Sequence, residues 1–298
     1  MSHILISGLV NTETTVRIRE FPIPYYPIDY PFFGIGTAVS GVAYNLAKAL
    51  RTLGDQVTIC SMTGSDLPGQ AVRQELEALG VDTAHIKNSL QQTPSSVVLY
   101  DSEGKRQIYC DLKDIQETAY GFTPDLCKDV DLVAACNINF NRPLLRAAKE
   151  AGKIIATDVH VLRDLYDDYN REFMEAADIL FLSDEGIGDD YRGFIAELER
   201  IYHNRIIVLG RGGKGAALYQ EGQFHELPAV HVGPVVNTVG AGDALFSSFL
   251  HGYAQGLAPV DALHRAQLFA SAKIGTSGAS NGFITETELE ALSQKQHI

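Results

Sequence analysis

One feature constrains this chain most: short apolar runs of strand length alternate with amphipathic stretches of helical length. Ile4–Ser7 is the first run. Val39–Leu53 follows, with apolar residues at helical spacing (Val42, Leu46, Ala49, Leu50, Leu53), until Gly54 stops it. Gln56–Cys60 reads as a strand and Gln70–Leu79 as a helix closed by Gly80. Leu132–Cys136, the Pro143–Ala151 helix and Lys153–Thr157 repeat the unit, and Ile179–Leu182, Ile206–Leu209 and Ala216–Tyr219 continue it. This rhythm predicts an α/β fold with a mainly parallel sheet and helices on both faces. Such sheets bind ligands at the carboxyl ends of their strands.

Two segments interrupt the rhythm. The first, about 12–34, carries the alternating run Val16-Arg17-Ile18-Arg19 and then four prolines between Phe21 and Pro31, which forbid a helix or a central strand there. The second, about 94–112, reads as a hairpin: Ser96–Tyr100, a turn at Ser102-Glu103-Gly104, then Arg106–Cys110. Together they read either as a small β-sheet lid or as two ordinary surface excursions.

Charge and cysteine content narrow the partners. Lys and Arg number 24 against 37 Asp and Glu, a formal net charge of −13. A chain this acidic repels nucleic acid and anionic membranes. No apolar run is long enough to span a bilayer. The N-terminus lacks the basic start and long apolar stretch of a signal peptide. Cys60, Cys110, Cys127 and Cys136 form no C-x-x-C pair and read as reduced thiols in a cytoplasmic protein.

The sharpest local signal is Asn237-Thr238-Val239-Gly240-Ala241-Gly242-Asp243-Ala244, followed by the apolar helical run Leu245–Ala254. A small-residue turn opens a helix, with Asp243 in its first turn. The first N–H groups of a helix have no internal partner, and the helix dipole places partial positive charge there. Glycines let an anion approach that backbone closely. A neighbouring aspartate can take a proton from an attacking hydroxyl. By itself a G-x-G-D run is equally a tight turn with a carboxylate at a helix start.

The eight residues together resemble the D-T-x-G-A-G-D signature of the ribokinase-like (PfkB) carbohydrate kinases, and the resemblance extends over the whole chain. It implies a three-layer sandwich, read as one domain over residues 1–298, whose lid is built from the two interrupting segments. It implies that Asp243 is the catalytic base and that Gly240, Ala241 and Gly242 form an anion hole. Gly8-Leu9-Val10-Asn11-Thr12-Glu13 is similar to the family's substrate-binding turn, with Glu13 where aspartate is usual, so Asn11 and Glu13 are expected to bind substrate. Ser40-Gly41-Val42-Ala43-Tyr44-Asn45 is similar to G-G-x-x-x-N, which brings Gly41 and Asn45 to the substrate. Asp158, in Thr157-Asp158-Val159-His160, is expected to hold substrate or support magnesium, with His160 beside it. Arg106, after the lid turn, reads as a substrate contact or a solvated hairpin charge.

The nucleotide side departs more. The family's N-x-x-E falls at Ser183-Asp184-Glu185-Gly186, with Ser183 for asparagine and Gly186 for glutamate. That leaves the magnesium ligands open, with Asp184 and Glu185 available through water. Gly210, Gly212 and Gly215, in Gly210-Arg211-Gly212-Gly213-Lys214-Gly215, match the turn that lies along ATP; the same residues make a plain glycine hairpin. Arg211 and Lys214 add positive charge. Thr238 and Asn281 complete the expected ATP contacts. Asn237 replaces the aspartate that helps bind potassium in many relatives, together with nearby carbonyls and a loop matching Ser277–Gly282. An amide oxygen is a weaker ligand, so dependence on potassium is expected to be reduced or absent.

The implied activity is ATP- and Mg2+-dependent phosphorylation of a hydroxyl on a sugar or sugar-like molecule. A nucleoside kinase of the same superfamily is the alternative, since Tyr25, Tyr26, Phe32 and Phe33 could stack on a base. A catalytically weak sugar-binding or regulatory protein is the alternative of another class. Lids in this family often pair, which makes a homodimer one expected arrangement.

Overall fold

A computed structural model describes residues 1–103 and 105–296, so Gly104 of the expected lid turn lies outside the described residues. The chain opens with β1 (His3–Ser7), β2 (Asn11–Arg17) and β3 (Ile35–Ser40), then α1 (Val42–Thr52) and β4 (Gln56–Thr63). Next come α2 (Leu67–Ala78), β5 (Ile86–Asn88), β6 (Ser95–Tyr100) and β7 (Arg106–Asp111). The middle of the chain is β8 (Leu132–Ala135), α3 (Arg142–Glu150), β9 (Ile154–Val161), α4 (Arg171–Ala176), β10 (Ile179–Ser183), α5 (Tyr191–Tyr202) and β11 (Ile206–Gly210). It closes with β12 (Ala216–Gln220), β13 (Gln223–Leu227), α6 (Ala241–Ala254), α7 (Pro259–Lys273) and α8 (Glu286–Lys295).

Nine strands form one sheet in the order β13-β12-β11-β10-β9-β8-β1-β4-β5. Every pairing from β11 through to β5 is parallel, and β12 and β13 add an antiparallel edge. The period-two pattern divides the apolar runs between the faces. Ile4, Ile6, Ile179, Phe181, Ile206 and Val208 pack on the face covered by α1, α2, α6 and α7. Leu5, Leu180, Leu182, Ile207 and Leu209 pack on the other face, against α3, α4 and α5. Two helical layers thus sandwich one sheet.

Four strands form a second, smaller sheet in the order β3-β2-β6-β7. It draws on residues 11–40 and 95–111. Here the expected boundaries need correcting: Ile35–Ser40 is a strand, whereas helical spacing suggested that α1 starts at Val39. Gly41 sets the break, with φ 97° and a carbonyl neighbour that leaves no room for a side chain; a Cβ there would lie 2.6 Å from the Leu9 oxygen. The strand containing Val16 likewise begins at Asn11 and ends at Arg17. The proline-rich run between Phe21 and Pro31 forms neither helix nor strand.

The strand order reverses at β1. Its successor β4 lies on one side and β8 on the other, which makes the β1–β8 boundary the switch point where a crevice opens. The Cys136 side chain packs so closely on the chain after β1 that a Cβ on Gly8 would lie 2.3 Å from its Sγ.

Candidate active site

The turn before α6 stands at this crevice. Gly240 caps the helix in the left-handed conformation (φ 78°, ψ 7°), and a Cβ on it would meet the Ala279 carbonyl oxygen at 2.3 Å. Only glycine satisfies both demands. Ala241 N–H donates to Thr238 O at 3.2 Å and closes the turn. Among the described residues, the N–H groups of Gly240, Gly242 and Asp243 lack an acceptor, and that of Ala241 does not.

Asp243 follows in the first turn of α6. Asn45 Nδ2, on α1 and itself buried, donates to Asp243 Oδ2 at 2.6 Å. Burial pushes the Asp243 carboxyl above its ordinary range. The Asn45 hydrogen bond and the His160 and Lys273 charges oppose that shift, while Asp158 adds to it. The carboxylate is therefore held by one strong hydrogen bond in a site that disfavours its charge, the condition that suits a general base.

The other residues expected to bind substrate include Asn11 and Glu13 on β2, Arg106 on β7 and Asp158 on β9. Glu13 accepts from Ser40 Oγ at 3.5 Å, and burial raises its carboxyl, with the Asp243 charge adding to the effect. Asn11 is buried and donates to Ser96 Oγ at 3.2 Å, leaving its Oδ1 without a partner. Asn45 Oδ1 is similarly unpartnered. Buried amide oxygens without donors are costly, and a hydroxylated ligand would satisfy them. Asp158 lies within β9, three residues before its end; its Oδ1 accepts the His160 N–H at 2.8 Å, holding His160 at φ 59°. Arg106 Nη1 reaches from β7 to Thr238 Oγ1 at 3.2 Å, bridging the small sheet and the glycine turn. Val98, Val239 and Ala279 pack together beneath that bridge.

Of the expected nucleotide-side residues, Ser183, Gly210, Gly212 and Gly215 lie at or just beyond the ends of β10 and β11, whereas Thr238 precedes α6 and Asn281 lies in the loop before α8. Ser183 Oγ accepts from Glu185 N–H at 3.3 Å. Asp184 is 3.8 Å from Lys214 Nζ. Arg211 stacks on Tyr191 and lies 3.8 Å from Glu226, so packing already engages its charge. Gly210 closes β11. Gly215 has φ 100° and touches β13, where a Cβ would sit 2.0 Å from Leu227 O; Gly212, with φ 52°, faces open space. The hairpin alone therefore accounts for Gly215, whereas Gly212 is exposed to whatever lies above the turn. Asn281 folds back on its own loop, donating to Ser277 O at 3.1 Å.

Metal requirements differ between the two implied cations. Among the described residues, no three His, Cys, Asp or Glu side chains group closely enough to cage an ion. Magnesium arriving with nucleotide phosphates needs only one or two carboxylates, often through water, and Asp184 and Glu185 meet that need. A monovalent cation beside the glycine turn does not fit. Asn237 Oδ1 already accepts from Val239 N–H at 2.7 Å. Lys273 Nζ donates to Val239 O and, at 2.7 Å, to Gly278 O.

Sequence reasoning did not single out Lys273. Burial lowers its ammonium to about 8, with Asp243 and Glu13 pulling the other way. Helical spacing carried the signal: Lys273 shares a face of α7 with Ala266 and Phe269, both fully buried.

The sequence profile of the pfkB family of carbohydrate kinases matches residues 33–288. The chain belongs to this family. It is a PfkB-type carbohydrate kinase with the ribokinase fold. An ATP-dependent ribose-1-phosphate kinase of Halopiger xanaduensis is 26% identical over 84% of both chains. A nucleoside kinase of Methanocaldococcus jannaschii is 22% identical over 86% of this chain and 85% of that one. A microbiome-derived acarbose kinase of known structure superposes with a TM-score of 0.87 at 24% identity, covering 98% of this chain and 99% of the other. No helix among the described residues is long and apolar enough to cross a membrane.

Proposed function

We propose that this kinase transfers the γ-phosphoryl group of ATP to a hydroxyl of a sugar or sugar-like molecule, with Asp243 as the base. The single observation that carries the reading is the position of Asp243: one helical turn holds both the carboxylate and the open N–H groups of a left-handed glycine cap. The substrate hydroxyl gives its proton to Asp243 as its oxygen attacks the γ-phosphorus, and the bond from that phosphorus to the β,γ-bridging oxygen breaks to release ADP. The N–H groups of Gly240, Gly242 and Asp243 receive the negative charge that builds on the transferring group. Asn45 orients the base. Asn11, Glu13, Gly41, Asp158 and Arg106 bind the acceptor, while Ser183, Gly210, Gly212, Gly215, Thr238 and Asn281 lie along the nucleotide. Magnesium would be held with the phosphates by Asp184 and Glu185 through water and would neutralise phosphate charge there. Arg106 and the small sheet exclude water, which would otherwise consume ATP.

The decisive experiment measures ATP consumption with a panel of free sugars and nucleosides, comparing the parent with Asp243→Asn. We expect the variant to fold and to lose about 10²–10⁴-fold in rate. Parent-like turnover by the variant would remove Asp243 from the role. A nucleoside acceptor is the second reading. It draws support from the exposed Tyr25, Tyr26, Phe32 and Phe33 beside the small sheet, and the same panel separates it from the first. Exposed Ile35, Val97 and Tyr109 share one face of the small sheet and give it an apolar surface suited to pairing with a second copy of the chain. Buried, unpaired Cys60, Cys127 and Cys136 accord with a reducing cytoplasm.

A further inference from the structure

The glycine turn and the loop at 277–282 are joined by a cation that belongs to the chain itself. Lys273 ends α7 and is 0% exposed. An isolated ammonium at such depth is strongly disfavoured, so its partners matter. They are two main-chain carbonyls: Val239 O, on the residue before Gly240, and Gly278 O, one residue before the Ala279 oxygen that limits Gly240. The Asp243 and Glu13 carboxylates act on the same ammonium from α6 and β2, and Arg106 acts from β7. The Asn237 side-chain oxygen accepts from Val239 N–H at 2.7 Å.

Resting on the phosphotransfer reading above, we propose that Lys273 is the built-in cation of the anion-binding turn, so that catalysis needs no potassium or other monovalent ion. Lys273 is a positioning residue. It touches no reacting atom, but it fixes the carbonyls on both sides of the turn and so holds the Gly240 and Gly242 N–H groups toward the phosphoryl group. It also supplies a positive charge near Asp243 in a protein that is otherwise strongly acidic. An external cation at this place would need the carbonyls that Lys273 occupies and would have to lie against its ammonium.

The test uses the full chain with Lys273→Met, which keeps length and loses charge, and Lys273→Arg, which keeps charge. Two readouts are compared in potassium and in choline at equal ionic strength: phosphotransfer rate, and amide hydrogen exchange at 238–242 and 277–282. We expect the parent and Lys273→Arg to be insensitive to the exchange of salts. Lys273→Met should exchange faster at both segments and lose about tenfold or more in rate, with potassium restoring part of both. A parent rate that rises severalfold with potassium would overturn the proposal. So would a Lys273→Met protein that keeps parental rate and protection in choline. If Lys273→Met does not fold, the parent and Lys273→Arg still decide through their response to potassium. If the parent phosphorylates nothing, the phosphotransfer reading fails while hydrogen exchange still tests the clamp.

Discussion

Asn45 and Asp243 stand 198 residues apart in sequence, and the amide of one donates to the carboxylate of the other at 2.6 Å. A hydrogen bond to a carboxylate favours its charged form, so Asn45 holds the Asp243 pKa below the level that burial alone would set. Replacing Asn45 with Leu should raise that pKa further and shift the acidic limb of the pH dependence of kcat/KM upward. The rate at neutral pH should fall, and activity should recover in part as the pH is raised. A limb that stays in place would separate Asn45 from the ionisation of Asp243.

Gly240→Ala should damage the site without unfolding the protein. The left-handed conformation costs a residue with a Cβ about 1–2 kcal/mol, and the new methyl would press on the Ala279 oxygen. The turn must then move away from the 277–282 loop. We expect a loss of phosphotransfer far larger than the fall in melting temperature would explain. Gly242→Ala, where no atom lies within 4 Å of the added carbon, should leave stability nearly unchanged.

His251 offers a test of stability rather than activity. It is buried on α6 between Asp55 at 2.7 Å and Glu286 at 3.2 Å. Burial lowers its pKa, but the two carboxylates outweigh burial and raise it from 6.5 to about 9. The folded protein thus holds this proton more tightly than the unfolded chain. Its stabilising contribution, about 3 kcal/mol, is complete below pH 6.5 and is lost as pH rises toward 9. Thermal melts of the parent should show that decline. His251→Phe should melt lower at pH 6.5 and lose the decline.

Arg106→Ala should separate water exclusion from chemistry. The side chain is exposed, so stability should change by no more than about 0.5 kcal/mol. Losing the bridge to Thr238 should raise KM for the acceptor and increase ATP hydrolysis in its absence. Equal losses in coupled and uncoupled turnover would argue against this role.

The central sheet was legible because its strands are continuous apolar runs buried on two faces, as at Ile179–Leu182 and Ile206–Leu209. The glycine turn was legible because Gly240 and Gly242 bracket a helix start beside an acid. β3 was not, since Val39 shares helical spacing with Val42 and Leu46, and only the backbone at Gly41 divides strand from helix. The first half of β2, Asn11-Thr12-Glu13-Thr14-Thr15, is polar on both faces and offers no apolar alternation to read. The closing bond from Ala241 to Thr238, and the reach of Lys273 to Val239 and Gly278, depend on how loops distant in sequence come to rest. Residue type alone carries no record of that.

The place of β1 within the sheet has a consequence for biosynthesis. Its N-terminal residue, His3, finds the Asp131 carboxylate 128 residues later, and β8 supplies the second neighbour for the strand. A nascent chain emerging from the ribosome therefore carries β1 with one edge uncovered until most of its first half has been made. Such distant pairing slows folding and leaves an aggregation-prone edge in the meantime. Expression should accordingly respond more to temperature and chaperone supply than the finished sandwich would suggest.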